Sequence, residues 1–485
     1  MSLKLKVPLA GKYVESEKTF DVYDKYLGTK LDAVPSMGTR EVDLAIEAAA
    51  NAFTDMSRLT ALDRQDALLQ VADGLIERKG GLAKILISEG GMTVKQAEFE
   101  VERASKIFRL YATEIPHLHG ESVTLDADIR GKNKHGYWFR VPAGIIAAIT
   151  GFNDPLVLLA HKLAPAFAVG DVVIAKPASL APISSIEMCS LFTKTVLPAA
   201  AISVITGDGR LLGPPIVKNR RVRVVSFTGG VEAGEEIAKV AGLKRLVMEL
   251  GSNCPNIVCS DANLDHAVES LVDAAYSYQG QNCLHAQRIL VQDGIYEDFK
   301  QRFLNLASKL KMGDPRLEST EIGPMISEPA AKKVEEWVNE AKRLGAKVLL
   351  GGARSGVFYQ PTLLESVPAN AKVMIDEIFG PVSCLMKFSD IREAVRISNT
   401  SDYGLGAAIF TNKLDLVMYA ILHLQFGIIK VNESTDVRLD IIPFGGFKSS
   451  GLGREGLKQA IEEMSEVKMV VHNLDEPHFA GHMQN

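Results

Sequence analysis

The sequence predicts an α/β protein whose parallel sheets are doubly wound, with helices on both faces. Residues 144–149 and 172–175 are unbroken apolar runs, each followed by a helical stretch, as is typical of parallel strands covered on both faces. Residues 222–227 form a third such run, which leads into a glycine-rich turn and another helix. Strands that alternate with helices in this way predict a doubly wound sheet.

A second α/β unit is predicted in the carboxyl-terminal half. The chain has 485 residues, too many for one ordinary core, so we expect two or three domains. Further strand-like runs again alternate with helical stretches and predict a second doubly wound sheet. These runs are residues 256–259, 288–291, 347–350, 382–388 and 428–431.

The amino-terminal part combines short strands with longer helices. Residues from about 5 to 35 have the pattern of short strands and turns. Residues 61–79 have a helical apolar period, and Gly80 and Gly81 are expected to end that helix. A longer helix should then reach about residue 117, and residues 126–140 are expected to form an extended arm.

Composition and charge exclude several classes of protein. The net charge of −5 argues against a broad nucleic-acid-binding surface. No apolar run reaches the roughly 18 residues of a membrane helix, and the amino terminus lacks a signal-type core, so neither membrane insertion nor processing is expected. Five scattered cysteines indicate neither a disulfide framework nor a metal site, and they favour a reducing, cytoplasmic compartment.

One cysteine and one glutamate stand in contexts that suit covalent catalysis. Cys283 follows a helical run and a glycine-broken turn, and Glu249 lies upstream in an apolar strand-to-turn segment. A carboxylate and a thiol so placed suggest a nucleophile assisted by a base. The alternatives are an inert buried thiol at Cys283 and a capping or surface carboxylate at Glu249.

Two features at strand ends suggest a nucleotide ligand. The turn at Gly229 resembles a dinucleotide fingerprint in which Val231 replaces the middle glycine, and it opens a helix whose free amides can bind phosphate. Lys176 ends a predicted buried strand, where doubly wound sheets bind their ligands. A packing glycine and a solvent-facing lysine remain the alternatives.

Seven motifs follow one another along the chain, at residues 151–156, 176–179, 227–229, 249–251, 280–283, 377–381 and 443–448. Taken together, they resemble the NAD(P)-dependent aldehyde dehydrogenase superfamily, in its non-acylating, hydrolytic form. The resemblance runs from about residue 10 to about residue 470 and implies two doubly wound α/β domains with a small β oligomerisation arm. It assigns residues 1–122 and 142–249 to a dinucleotide-binding domain, 250–446 to the catalytic thiol domain, and 123–141 with 447–485 to the arm and carboxyl-terminal segment.

The resemblance implies a mechanism in which three residues carry the chemistry. Cys283 would attack the aldehyde carbonyl as a thiolate, favoured by a polar turn and by a positively charged nicotinamide ring. The Asn153 amide and the Cys283 backbone N–H would stabilise the oxyanion. After hydride transfer, Glu249 would activate the water that hydrolyses the thioester.

The cofactor, NADP or NAD, would be held by residues carried over from the same family. Lys176 would bond the adenosine ribose hydroxyls, glycines would permit close approach of the dinucleotide, and Glu377 with Phe379 would position the nicotinamide ribose and ring. Ser179 stands where strict NAD enzymes often carry glutamate; without that charge, a 2′-phosphate is not repelled, so NADP should be accepted and preferred. The predicted cofactor-binding residues are Lys176, Ser179, Gly209, Gly229, Gly234, Leu250, Glu377 and Phe379.

The predicted substrate-lining residues are Asp154, Arg109, Arg438 and Phe444. In one interpretation, Arg438 and Arg109 bind an anionic tail such as a phosphonate, sulfonate, phosphate or carboxylate. In another, Asp154 pairs with Arg438 as a structural salt bridge or bonds the hydroxyl of a small 2-hydroxyaldehyde; an aromatic aldehyde is a further alternative. His161 and Ser277 replace the arginines of the succinate-semialdehyde pattern, which is therefore disfavoured.

Other functions within the superfamily are less consistent with the residues present. Non-catalytic members tend to lose the cysteine or the glutamate, and the coenzyme-A-acylating branch typically lacks the glutamate, whereas this chain has both. Segments near 123–141 and 466–471 resemble the family's oligomerisation segments, so a homodimer or homotetramer is expected. The tail, residues 473–485 with His478 and His482, is expected to be a disordered end rather than a metal site.

Overall fold

The computed structural model describes residues 5–473. Its strands are β1 (Val7–Leu9), β2 (Lys12–Val14), β3 (Thr19–Tyr23), β4 (Lys30–Pro35), β5 (Glu121–Val123), β6 (Lys134–Pro142), β7 (Ile145–Ile149), β8 (Val172–Lys176), β9 (Ile202–Val204), β10 (Val222–Thr228), β11 (Arg245–Glu249), β12 (Pro255–Val258), β13 (Arg288–Gln292), β14 (Lys347–Leu350), β15 (Arg354–Ser355), β16 (Phe358–Tyr359), β17 (Thr362–Glu365), β18 (Val382–Phe388), β19 (Tyr403–Gly404), β20 (Gly406–Phe410), β21 (Ile428–Val431), β22 (Phe447–Lys448), β23 (Gly451–Leu452) and β24 (Ser465–Asn473). Its α-helices are α1 (Thr39–Met56), α2 (Ala61–Glu77), α3 (Lys79–Gly90), α4 (Val94–Glu114), α5 (Pro155–Val169), α6 (Ile183–Phe192), α7 (Gly209–Lys218), α8 (Val231–Ala241), α9 (Leu264–Tyr276), α10 (Tyr296–Ala307), α11 (Glu328–Arg343), α12 (Lys372–Ile375), α13 (Ile391–Asn399), α14 (Leu414–His423) and α15 (Leu457–Glu463).

The first sheet has six strands in the order β23-β11-β10-β7-β8-β9. All neighbours are parallel except β23, which pairs antiparallel with β11 at the edge. The strands β7 and β8 are buried throughout, as expected of strands covered by helices on both faces. In register, Ile149 lies opposite Lys176 and Thr228 opposite Glu249, so residues predicted to bind ligand lie at one carboxyl-terminal edge.

The second sheet has seven strands in the order β14-β17-β18-β13-β12-β20-β21. Its strands are parallel except for β14 at the edge. The two sheets confirm the prediction of two doubly wound α/β units. The sequence pattern did not single out β9, β17 and β20, because each is a short apolar segment without a clear turn signal on both sides.

A separate three-stranded antiparallel sheet, β24-β6-β5, forms the arm. β24 and β6 pair from Ser465 opposite Pro142 to Asn473 opposite Lys134. The segment just before β24 differs from the domain assignment made above. In that segment, β23 joins the first sheet, and α15 packs on α5. Residues 451–463 therefore lie on the first unit rather than on the arm.

The helical region before the arm differs from expectation at one point. Gly80 and Gly81 were expected to end a helix, but they lie in the first turn of α3, directly after α2 ends. A glycine costs a helix about 1 kcal/mol relative to alanine. Buried residues of α3, among them Leu82 and Leu86, offset that cost, and the helix ends instead at Gly91, whose φ of 74° is left-handed.

Within residues 5–473, no helix is long and apolar enough to cross a membrane. The same residues contain no group of three or more metal-binding side chains. All five cysteines are free thiols. Of the predicted tail, residues 473–485, Asn473 is the last residue of β24, and residues 474–485 lie outside the described part of the chain.

Candidate active site

A cavity of about 340 Å³ brings together the three residues predicted to carry the chemistry. Cys283, Glu249 and Asn153 all line it, although they come from different parts of the chain. Glu249 ends β11 of the first sheet, Asn153 lies between β7 and α5, and Cys283 precedes β13 of the second sheet. The cavity therefore lies between the two α/β units, beside the carboxyl ends of β7 and β11.

Cys283 is presented by a turn with an uncommon backbone. Tyr278, Gln279 and Gly280 have φ values of 52°, 57° and 64°, three left-handed residues in succession. Gly280 is also required by space, because a Cβ there would lie 2.2 Å from the carbonyl oxygen of Gly380. Beyond the turn, the Asn282 side chain accepts a hydrogen bond from the Leu284 amide at 2.9 Å, which fixes the chain on either side of the thiol.

Two hydrogen-bond donors beside the thiol have no protein acceptor. Among the described residues, neither the Cys283 N–H nor the Asn153 side-chain amide donates to another group. Both residues line the cavity. Free donors beside a nucleophile are what an oxyanion requires, so this pair is suited to the role that the resemblance implied.

The surroundings of Cys283 favour its protonated thiol over the thiolate. Burial raises the pKa of Cys283 well above its usual value, the carboxyl groups of Glu377 and Glu249 raise it further, and Arg438 opposes them. The polar turn alone therefore does not supply a thiolate. A base must accept the thiol proton before the sulfur can attack a carbonyl.

Glu249 has the properties of that base. The residue is 4% exposed, and neither of its carboxyl oxygens has a hydrogen-bond partner within the described chain. Burial and the neighbouring Glu455 raise the pKa of Glu249 well above its usual value, against the opposing charges of Arg438, Lys162 and Arg454. A raised pKa brings a carboxylate closer to neutral pH, where a general base works best.

A buried ionic network lies behind Glu249. Glu455 accepts from Lys162 Nζ at 3.0 Å and from Arg438 Nη2 at 2.8 Å. The two cations hold the pKa of Glu455 far below its usual range, so its carboxylate stays charged. The Arg438 guanidinium also stacks 3.7 Å from the centre of the Phe444 ring. Arg438 and Phe444 are thereby fixed as one wall of the cavity.

The residues predicted to bind the adenosine half of the cofactor meet at the edge of the first sheet. Lys176 is buried, and among the residues that the structure describes its Nζ donates only to the Pro177 carbonyl, at 3.3 Å. Burial lowers the pKa of Lys176 to about 8. A Cβ at Gly209 would lie 3.5 Å from Lys176 Nζ, so glycine keeps the lysine accessible. A buried lysine with an almost unused ammonium group fits a ligand rich in hydroxyl acceptors.

The glycine turn after β10 fits a diphosphate. Gly229 precedes Gly230, the N-cap of α8, which supplies no capping side chain, so the first amides of this eleven-residue helix are uncapped by it. Gly234 lies one turn into the helix, where a Cβ would come 2.7 Å from Leu250 Cδ2. Its absence lets α8 pack closely on the segment after β11, as in nucleotide-binding folds.

The nicotinamide end of the predicted cofactor site contains one residue that the sequence pattern did not single out. Glu377 accepts from the Ser252 amide at 2.8 Å, and burial raises its pKa to about 7. Phe379 packs edge-on against Phe152, with ring centres 5.7 Å apart. Lys333 lines the same cavity, and its Nζ lies 3.4 Å from the Glu377 carbonyl oxygen. Lys333 lies on the amphipathic surface helix α11, where a lysine is ordinary, so the sequence did not indicate that it lines the cavity.

The sequence model of the aldehyde dehydrogenase family matches residues 13–470. Aspartate-semialdehyde dehydrogenase 1 of Pseudomonas canavaninivorans is 41% identical, over 94% of this chain and 97% of that protein. The chain belongs to the aldehyde dehydrogenase family. Aldehyde dehydrogenase 21 of Physcomitrella patens, solved in complex with the reaction product succinate, is 38% identical with a TM-score of 0.95, covering 98% of this chain and 99% of that one. Glyceraldehyde-3-phosphate dehydrogenase of Methanocaldococcus jannaschii, complexed with NADP, is 37% identical with a TM-score of 0.91, covering 94% of this chain and 100% of that one.

In this dehydrogenase, the substrate end of the site differs from the sequence prediction in one residue. Asp154, Arg438 and Phe444 line the inner cavity, but Arg109 lines neither this cavity nor its neighbour. The Arg109 side chain is instead about half exposed and forms an ion pair with Asp73 on α2. Arg109 is therefore corrected from a substrate-lining residue to a surface residue.

Arg103, on the same helix as Arg109, is the arginine that faces the site. Its guanidinium binds Asp440 at 2.7 Å, and His161 Nε2 lies 3.1 Å from the same carboxylate. Helical period could have found it, because Arg103 neighbours the buried Ala104 and follows the buried Glu100 by three residues. Burial lowers the pKa of His161 to about 4, so that imidazole is neutral.

A second, outer cavity of about 500 Å³ continues from the inner one in this aldehyde dehydrogenase. Ser277 and Tyr278 line the outer cavity, beside the turn that carries Cys283. The residues that line both cavities form the constriction between them. They are Arg103, Asp154, Asn282, Asp436 and Arg438. Of these, the sequence pattern did not single out Arg103 and Asp436.

Proposed function

We propose that the protein oxidises a short aldehyde with an anionic tail to the carboxylic acid, using NADP or NAD. The observation that carries this proposal is the state of Arg438. Its side chain is only 9% exposed, it lines both cavities, and its buried Nε has no partner within the described residues. A buried donor with a free N–H beside a substrate cavity is matched by an anionic acceptor.

The charges around Arg438 support an anion as well. Arg438 and Lys162 together carry two positive charges against the single negative charge of Glu455. Arg103 is neutralised by Asp440. Because Glu455 is shared between Arg438 and Lys162, an anionic substrate group would give Arg438 a second acceptor.

The chemistry follows from the groups that surround the thiol. Glu249 accepts the proton of Cys283, and the sulfur attacks the carbonyl carbon while the Asn153 amide and the Cys283 N–H hold the developing oxyanion. When bound, the nicotinamide cofactor accepts the hydride. The acyl group remains on Cys283 as a thioester. Glu249 releases the thiol proton to solvent, and its carboxylate then takes a proton from the water that attacks the thioester; the acid leaves, and the Cys283 sulfur regains a proton.

The names of the relatives agree with an anionic tail. One relative is named for aspartate semialdehyde, one was solved with succinate, and one is named for glyceraldehyde 3-phosphate. Each of these compounds has an acidic group at the end remote from the reacting carbon. They support the proposed substrate class for this chain without selecting one member of it.

Replacing Arg438 with methionine is expected to lower kcat/KM for succinate semialdehyde about 100-fold, while that for butyraldehyde changes by less than about threefold. The two aldehydes have the same chain length and differ in the terminal carboxylate, so their ratio isolates recognition of the anion. The absorbance of the reduced cofactor, recorded as it forms, measures both rates.

The control for this experiment is Arg109→Met, which removes an arginine from the same region without touching either cavity. It should leave both rates unchanged. An equal loss for both aldehydes in the Arg438 variant would make Arg438 a structural residue and would contradict the anionic-tail proposal.

We also propose that NADP is preferred over NAD. Ser179 places no carboxylate near the adenosine ribose, and its hydroxyl donates to the Gly207 carbonyl at 2.6 Å. The hydroxyl proton is therefore engaged, so the absence of a negative charge, rather than a new hydrogen bond from serine, supports binding of a 2′-phosphate. Lys176 and the uncapped start of α8 are free to bind either cofactor.

Replacing Ser179 with glutamate is expected to lower kcat/KM with NADP at least about tenfold relative to NAD, because the carboxylate repels the 2′-phosphate. Ser179→Ala is the matched control and should keep the NADP preference, since the serine hydroxyl is committed to Gly207. Initial rates with each cofactor give the ratio. A wild-type protein that prefers NAD tenfold would show that Ser179 does not set the choice.

We further propose a homodimer or homotetramer in the cytoplasm, assembled through the arm. β24 is an edge strand, and Val467, Met469 and Val471 on it are each about half exposed. An exposed apolar edge strand is a surface that another chain can cover. Five free thiols suit a reducing compartment. Analytical ultracentrifugation measures the assembly, and a monomer at micromolar concentration would contradict it.

A further inference from the structure

We propose that Asp154 and Asp436 bind a protonated amine of the substrate, so that the preferred substrate is an amino aldehyde that also carries an acidic group. The two carboxyl groups lie at the constriction between the inner and outer cavities, together with Arg438. The inference rests on the anionic-tail function proposed above and adds a second recognised group. The sequence analysis treated an anionic tail bound by Arg438 and a hydrogen-bond donor bound by Asp154 as alternatives. Here both groups belong to one substrate.

The side chain of Asp154 does not cap the helix that follows it, and it shares a hydrogen bond with the Glu100 carboxyl group. Asp154 is the N-cap of α5, a position where aspartate ordinarily caps the helix, yet its side chain forms no capping hydrogen bond. Glu100 caps the helix instead, accepting from the amides of Leu156 at 2.9 Å and Val157 at 3.0 Å. Beside this contact with Glu100, Asp154 lines both cavities.

Glu100 does not neutralise Asp154. Burial and the adjacent Asp154, which shares a hydrogen bond with Glu100, raise the pKa of Glu100 well above its usual value, and this favours a neutral Glu100. Within the described residues, Asp154 forms no ion pair, and Arg103, which also lines both cavities, is paired with Asp440. A substrate ammonium group would therefore not have to displace a protein cation from Asp154.

Asp436 is held rigidly beside the nucleophile. It accepts from Ser277 Oγ at 3.0 Å and from the amide group of Asn282, the residue before Cys283. Both of these donors are neutral, and Asp436 forms no ion pair with another described residue. Burial and the neighbouring Asp273 raise the pKa of Asp436 to about 7, so a bound cation would stabilise its charged form.

The wall of the outer cavity favours a cation over a neutral donor. Five carboxyl groups and three cations line it, and two of those cations, Arg103 and Arg438, are already paired with carboxylates outside the wall. A protonated amine gains from this excess of negative charge, whereas a hydroxyl gains only a hydrogen bond. The five are Asp154, Asp273, Glu318, Glu321 and Asp436, and the third cation is Lys95.

Arg438 supplies an independent sign of a ligand at the same constriction. Its side chain is nine-tenths buried, and its Nε has no acceptor within the described residues. An amine near Asp154 and Asp436 and a carboxylate near Arg438 would satisfy all three side chains. With the carbonyl at Cys283, the substrate then carries an aldehyde, an ammonium group and a carboxylate on one short chain.

Aspartate semialdehyde and succinate semialdehyde test the amine directly, because they differ only in the amino group. For the wild-type protein we expect kcat/KM to be at least tenfold higher for aspartate semialdehyde. In Asp154→Asn and in Asp436→Asn this value should fall at least tenfold, while that for succinate semialdehyde stays within threefold. Asp73→Asn removes a surface carboxylate that lines neither cavity and should change neither value.

The outcomes separate this inference from the function on which it rests. If succinate semialdehyde is oxidised as well as aspartate semialdehyde, and both exceed butyraldehyde, the amine site is overturned and the anionic tail stands. A faster reaction with the 2-hydroxy analogue than with the amine would also overturn it. If either asparagine variant loses both semialdehydes equally, that carboxylate is structural. If butyraldehyde exceeds both, the proposed function itself fails.

Discussion

Replacing Cys283 with alanine is expected to abolish aldehyde oxidation, lowering kcat/KM by about 10⁴-fold or more, as removal of a covalent nucleophile does in other enzymes. The loss should be this large because no other described thiol lines either cavity. Reduced-cofactor formation measures the rate, and mass spectrometry should detect no acyl adduct on the variant. The fold should be unchanged, because Cys283 is only partly buried.

Cys259→Ala is the matched control, since Cys259 is a buried thiol directly after β12 and lines neither cavity. It should retain wild-type turnover. Alkylation by iodoacetamide without cofactor should be slow at neutral pH and should speed up as pH rises, because burial and two carboxyl groups raise the pKa of Cys283. Turnover that survives in Cys283→Ala would remove the thiol from the mechanism.

Replacing Glu249 with glutamine is expected to lower the steady-state kcat by about 10²- to 10⁴-fold while leaving a first turnover of reduced cofactor. Glutamine has nearly the same shape, and neither carboxyl oxygen of Glu249 has a hydrogen-bond partner among the described residues that the substitution would remove. Without the carboxylate, the water that should release the thioester is not deprotonated, so acyl enzyme accumulates. Stopped-flow absorbance should show a burst close to one equivalent per site, at a reduced rate because Glu249 also accepts the thiol proton.

The pH dependence of kcat tests the role of Glu249 as a base independently. Glu249 acts only when deprotonated, and its pKa lies well above the usual 4.5. Steady-state kcat of the wild-type protein should therefore fall as pH drops below that raised value, and this acid limb should disappear in Glu249→Gln. A variant that loses the burst completely would place Glu249 before hydride transfer only. An unchanged kcat would exclude it as the base for hydrolysis.

The fold was predictable because buried parallel strands leave a strong mark on a sequence. The runs at 144–149 and 172–175 have no polar residue that could face water until the strand ends, so β7 and β8 were found within a residue. Short strands such as β9, with three residues, carry too few positions for such a pattern. The helix boundary at Gly80 was misplaced because tertiary burial outweighs a local glycine preference.

Site residues could be predicted from the sequence where the residue type and its local motif indicate the chemistry. They could not be predicted where the role depends on contacts with residues far away in the chain. Cys283 and Glu249 both lie in or beside turns at motifs that suit catalysis, and the structure brings both to one cavity. Helical period places Arg103 only beside the buried face of α4, and no pattern marks Asp436, because their roles depend on partners far along the chain, such as Asp440 and Asn282. Arg109 was chosen on residue type, although its position on α4 directs it toward α2.

The turn before Cys283 has a consequence for how this site can change over time. Gly280 contacts the backbone at Gly380 so closely that no larger residue fits, and Gly380 directly follows Phe379 in the segment that also carries Glu377. The loop that aims the sulfur and the loop predicted to hold the nicotinamide are therefore geometrically locked, and neither can be exchanged alone. A change in one of these two loops therefore requires a matching change in the other. Arg103, Asp154 and Asp436 lie outside the contact between the two loops. New substrates are accessible at the constriction while the reacting centre stays as it is.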